Sequence, residues 1–128
     1  MILNQIFVED AKKWVGIMRK EKPDIIVAVA HTVEKPKKPR NPGNRIQDLA
    51  QQVDGIDAIV SGHNHVQIEQ LDYKNKSGEN VIVTETGKYG ECISKINFKL
   101  ENSTFVGLQI EGFWGEIAVT LGLIISAN

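Results

Sequence analysis

The sequence predicts an α/β domain in which parallel strands joined by a crossover helix are followed by antiparallel strands. Three observations predict it. Two short, continuous, β-branched apolar runs, Asp24 to His31 and Ile56 to Ser61, suit strands covered on both faces in a parallel sheet. Between them lies a stretch with helical apolar spacing, the ordinary connection between parallel strands. Downstream the apolar period shortens to two and turn-rich segments separate the runs, which marks antiparallel strands.

The elements follow in order. Phe7, Ala11, Trp14, Val15 and Met18 recur at three- and four-residue spacing among charged residues, so an amphipathic helix is expected there, closed by Pro23. Asp24-Ile-Ile-Val-Ala-Val-Ala-His31 is the first buried strand. From Thr32 to Gly43 the chain is polar and holds Pro36, Pro39 and Pro42, which predicts a loop. Ile46, Leu49, Ala50 and Val53 form a second helical face ending near Gly55, and Ile56 to Ser61 is the second strand. Strands are expected at Val66 to Tyr73 and Val81 to Glu85, joined by a turn rich in Asn, Ser and Gly. In Cys92 to Leu100, Ile96, Phe98 and Leu100 alternate with Lys95, Asn97 and Lys99, and Thr104 to Ile110 can pair back as a hairpin. Residues 1–110 are read as one unit. Residues 111–128 are an apolar tail, expected to pack on the core as a last strand or helix, or else to face a partner.

Composition narrows the function. With 128 residues, 41% of them hydrophobic, the chain can bury one ordinary core. A formal net charge of −1 argues against a nucleic acid polymer or an anionic lipid surface as the main partner. The apolar part of the tail is too short to span a bilayer. One cysteine, Cys92, excludes an intrachain disulfide and a Cys-rich zinc module, and its place at a strand start reads as packing. No phosphate-binding glycine loop and no G-x-S-x-G nucleophile turn occurs. The cluster Lys35, Lys37, Lys38 and Arg40 reads either as a solvated loop or as a border that attracts phosphate-bearing substrates.

The chain's three histidines, His31, His63 and His65, all fall just past the carboxyl ends of the two predicted parallel strands. Open α/β sheets bind ligands outside those ends. Adjacent strands are about 4.8 Å apart, so imidazoles projecting from them can reach a common ion at roughly 2.0–2.1 Å per bond if it is zinc. Gly62 is expected to allow the sharp turn that presents His63 and His65. Asp24 and Asp57 lie near the amino ends of their strands and are poor candidates for ligands, while Glu34 is within loop reach but is not selected by spacing. Three imidazoles around one zinc with an open position is one reading.

Asp24 to His31, Asn44 to Leu49 and Gly55-Ile-Asp-Ala-Ile-Val-Ser-Gly-His-Asn-His65 together resemble the calcineurin-like metallophosphoesterases. The likeness is to their 5′-nucleotidase and 2′,3′-cyclic-nucleotide 2′-phosphodiesterase branch. Val83-Thr-Glu-Thr-Gly-Lys-Tyr-Gly-Glu-Cys-Ile-Ser-Lys-Ile96 resembles the strand–turn–strand that follows G-H-x-H there, and the likeness runs from about Asn4 to Leu100. It implies half of a four-layer αββα sandwich, the carboxyl-terminal half of the catalytic domain. It further implies two divalent ions (zinc, manganese or iron) in the complete enzyme and one or none in this segment. His31 and His63 would bind the second metal and His65 the first. The family's D-x-H, G-D and G-N-H-[ED] motifs do not occur in the sequence, and Thr32-Val33 stands where the family usually has Ser-Gly.

The resemblance thus implies metal-dependent hydrolysis of phosphate esters, of nucleotides or 2′,3′-cyclic nucleotides, by a longer enzyme of which this segment alone is inactive. The family is often exported, periplasmic or at the cell surface, and the segment itself does not indicate a compartment. A non-catalytic binding module on the same scaffold and a mononuclear three-histidine zinc protein are the alternatives. An incomplete sheet would bare an edge, through which a homodimer could form.

Overall fold

The computed structural model describes residues 2–32, 45–101, 104–114 and 124–127. Its elements are α1 (Ile2–Lys20), β1 (Val27–Ala30), α2 (Ile46–Gln52), β2 (Ala58–Ser61), β3 (Gln67–Lys74), β4 (Asn80–Thr86), β5 (Cys92–Glu101), β6 (Thr104–Trp114) and β7 (Ile124–Ala127). They form two sheets, one ordered β1-β2-β4-β3 and the other β6-β5-β7. In the first sheet β1, β2 and β4 run parallel and β3 runs antiparallel to β4. The predicted change from parallel to antiparallel pairing therefore falls within a single sheet.

The alternation of side chains along β2 and β4 builds a core on each face of that sheet. Ile59, Val81 and Val83 pack with Val8 and Val15 of α1 and with Ile46, Leu49, Ala50 and Val53 around α2. On the opposite face Ala58 and Ile82 meet Ile96 and Phe98 of β5. Helices, sheet and second sheet are thus stacked in that order. Ile96 is fully buried and Phe98 nearly so, as the two-residue period of β5 requires. Between the sheets the hydroxyls of Thr84 and Ser94 form a buried 2.8 Å hydrogen bond, which satisfies two polar groups that would otherwise be costly to bury.

Three expectations are corrected. The buried stripe of α1 is Val8, Ala11 and Val15, whereas Phe7, Trp14 and Met18 remain exposed. These shorter side chains join the core cluster formed with α2, β2 and β4. β1 is not covered on both faces, because it is the edge strand of its sheet and Val29 is 78% exposed. β6 runs on to Trp114, past position 110, whereas β7 is a last strand of the kind expected of the tail and pairs in parallel with β5.

The amino-terminal rim of the sheet is tied by a polar brace. Asp57 accepts a 2.7 Å hydrogen bond from the backbone N–H of Ile26, just before β1. Arg19, at the end of α1, reaches the same carboxylate at 3.3 Å and also donates to the carbonyl oxygen of Gly55. Burial holds the Asp57 carboxyl above its ordinary pKa, although the Ile26 N–H and the Arg19 guanidinium oppose the shift.

Candidate metal centre

The candidate site lies on the opposite rim. In the β1–β2 register Ala30 faces Ser61, so the chains that leave the two strands start from the same level. His31 follows β1 directly, and Gly62-His63-Asn64-His65 follows β2. The His31 Nε2 and His63 Nδ1 atoms stand 3.1 Å apart, with ring centroids 5.0 Å apart and planes near perpendicular. As free rings, one donates and the other accepts. Two nitrogens on one tetrahedral zinc, at roughly 2.0–2.1 Å each, stand about 3.3 Å apart. The observed spacing fits a shared ion with little movement, and both rings are exposed and open to solvent.

His65 stands differently. It is exposed, and among the described residues no group of three His, Cys, Asp or Glu side chains converges on one point. The structure brings His31 and His63 together and does not add His65 to that pair. Glu34 and the basic cluster Lys35, Lys37, Lys38 and Arg40 lie outside the described residues. Asp57 is engaged in the brace at the far rim and Asp24 is exposed.

The turn after β2 does not place Gly62 at positive φ. Instead His63 (φ 144°) and His65 (φ 60°) take positive φ themselves. Positive φ is costly for side chains with a Cβ and persists only where surrounding structure enforces it. Thr32 contributes on the β1 side. It is buried, its N–H donates to Ala30 O at 2.9 Å, and its hydroxyl accepts from the Arg45 N–H at 3.0 Å, at the start of α2.

Glu85 was not anticipated. It is 2% exposed, lies on β4 level with the end of β2, and sits beneath the histidine turn. Its carboxylate lies 3.5 Å from the Ser61 hydroxyl, and the nearby backbone N–H groups of His65 and Val66 favour its charged form. With the Asn64 amide turned so that its nitrogen faces the carboxylate, Nδ2 donates to both oxygens, at 2.7 and 2.9 Å. Burial pushes the Glu85 pKa up, against those N–H groups and the nearby His65. The available signal was a lone carboxylate ending the apolar run Val81 to Thr84, since a charge there needs a specific partner.

No protein-family model matches the chain. It is 31% identical over 139 aligned residues, covering 97% of its length, to the trifunctional nucleotide phosphoesterase protein YfkN of Bacillus subtilis. The solved structure of that calcineurin-like phosphoesterase matches 83% of the chain with a TM-score of 0.62 and 26% identity, the chain covering 35% of it. A 2′,3′-cyclic-nucleotide 2′-phosphodiesterase/3′-nucleotidase of Yersinia enterocolitica is 28% identical over 73% of the chain. The fold of a 5′-nucleotidase precursor from Thermus thermophilus matches 84% of the chain and 22% of that structure, with a TM-score of 0.69 and 18% identity. The chain spans 9% and 16% of the length of the two sequence relatives.

The mixed sheet of parallel and antiparallel strands matches the fold of the solved calcineurin-like phosphoesterase. The chain belongs to the calcineurin-like phosphoesterase family, and its relatives there are nucleotidases and cyclic-nucleotide phosphodiesterases. That family generally uses divalent metals.

Proposed function

We propose that this chain is the carboxyl-terminal, metal-binding part of the catalytic domain of a metal-dependent phosphoesterase acting on nucleotides or 2′,3′-cyclic nucleotides. The observation that carries the proposal is the 3.1 Å approach of His31 Nε2 to His63 Nδ1 at the strand ends. His31 and His63 would hold one divalent ion, and His65, standing apart from that pair, would serve a second. Bound there, divalent ions supply Lewis-acid stabilisation of charge on a phosphoryl group. The chain's own part is to hold two imidazole nitrogens at ligand spacing at the ends of paired strands, so that little reorganisation accompanies binding. The family's other ligand motifs are absent from the sequence, so the 128-residue chain alone is expected to show little or no turnover.

Zinc titration of the purified chain by calorimetry tests this. One ion is expected, lost in both His31→Ala and His63→Ala and retained in His65→Ala. A wild-type chain that binds no zinc, or variants at 31 and 63 that bind it unchanged, would overturn the proposal. Equal loss in all three variants would instead favour a mononuclear three-histidine site.

A further inference from the structure

We infer that Glu85 is the positioning residue that locks the 62–66 turn in the conformation in which His63 meets His31. The inference deepens the metal-site reading, and part of it can be tested without metal. The turn holds two non-glycine residues at positive φ, His63 and His65, with only Asn64 between them. Left to itself such a segment would relax toward negative φ and carry the His63 ring away from His31. A single buried carboxylate grips it instead. Glu85 takes hydrogen bonds from the Asn64 side chain, has the backbone N–H groups of His65 and Val66 close by, and lies beside Ser61 on the strand that feeds the turn.

The placement follows from the sheet. In the β2–β4 register Val60 faces Thr84, so Ser61 and Glu85 are level and the carboxylate sits at the base of the turn. β4 is flanked by hydrogen-bonded strands on both sides and gives Glu85 a stiff support. Glu85 belongs to no group of three metal-binding side chains among the described residues. It would therefore act through the turn, as outer-shell partners of metal ligands do.

Substitution separates this role from simple folding. In Glu85→Asp the charge stays but the carboxylate is withdrawn by one methylene from its donors. In Glu85→Gln the length stays and the carbonyl oxygen can still accept from the backbone, with Asn64 turning its own oxygen toward the new amide. Amide hydrogen exchange in the metal-free chain should accelerate at least tenfold at His65 and Val66 in Glu85→Asp and Glu85→Ala, relative to Ile59 and Val83. Glu85→Gln should stay close to wild type. Zinc affinity should fall about 10–100-fold in the Asp and Ala variants and largely recover in the Gln variant.

Unchanged exchange at His65 and Val66 in Glu85→Asp would overturn the inference. So would an acceleration shared equally by the β2 and β4 core, which marks general loosening. A wild-type chain that binds no zinc but shows the same local exchange contrast would keep the anchor and remove the metal reading.

Discussion

Arg19→Ala removes a donor from the amino-terminal rim, and the cost can be worked from the contacts. Arg19 donates to Gly55 O, to Asp57 Oδ2 at 3.3 Å and, at the weak distance of 3.4 Å, to Pro23 O. Net contributions run to about 1.5–3 kcal/mol for a hydrogen bond with a charged partner. Here the longer two are discounted for distance, and all three because the Arg19 side chain is 37% exposed and water can replace it in part. About 2 kcal/mol remains. In urea, with a slope of about 2 kcal/mol per molar for a chain of this size, the unfolding midpoint should fall by about 1 M. A cycle with Asp57→Asn isolates the pair, whose coupling is expected at about 1 kcal/mol. The brace lies at the opposite rim from the histidines, so zinc affinity below the unfolding range should be unchanged. A loss under about 0.5 kcal/mol, the range of an ordinary surface substitution, would refute the reasoning, as would a collapse of zinc binding in the folded variant.

Four further outcomes are expected. Because burial raises the folded-state pKa of Asp57, the native chain binds the more protons just above pH 3.8, so stability from this group is lost as pH rises through the raised pKa; urea midpoints measured against pH should lose that slope in Asp57→Asn, and an unchanged slope would contradict the assignment. Phe98→Ala, at the contact between the sheets, should cost about 3–5 kcal/mol, read by calorimetry as a large fall in melting temperature. Gly87→Ala meets both a positive φ of 81° and the Gln67 Cγ, 2.9 Å from the new Cβ, so it should destabilise by about 1 kcal/mol or more; a melting temperature equal to wild type would contradict this. The chain should self-associate through the β1 edge, and Val29→Lys should reduce that association in light scattering, since a charge on an edge strand opposes pairing.

The parallel strands, the crossover helix and the later antiparallel run were legible because each has its own apolar period. In α2 and at its carboxyl cap the expected residues Ile46, Leu49, Ala50 and Val53 are all buried. Position relative to strand ends singled out the histidines and set Asp57, at an amino end, on the opposite rim from them. That much is local information. What the sequence could not show is how far each strand end stands from the others and what surrounds it. Only the register that sets Ala30 against Ser61 makes His31 and His63 a pair 3.1 Å apart, and it leaves His65 outside that pair. Only the pairing of β2 with β4 sets Glu85 under the turn, and only the sheet order makes β1 an edge and bares Val29. Apolar periodicity is a property of neighbours along the chain, whereas ligand spacing, carboxylate support and edge exposure belong to neighbours across hydrogen-bonded strands, which the chain assembles only on folding.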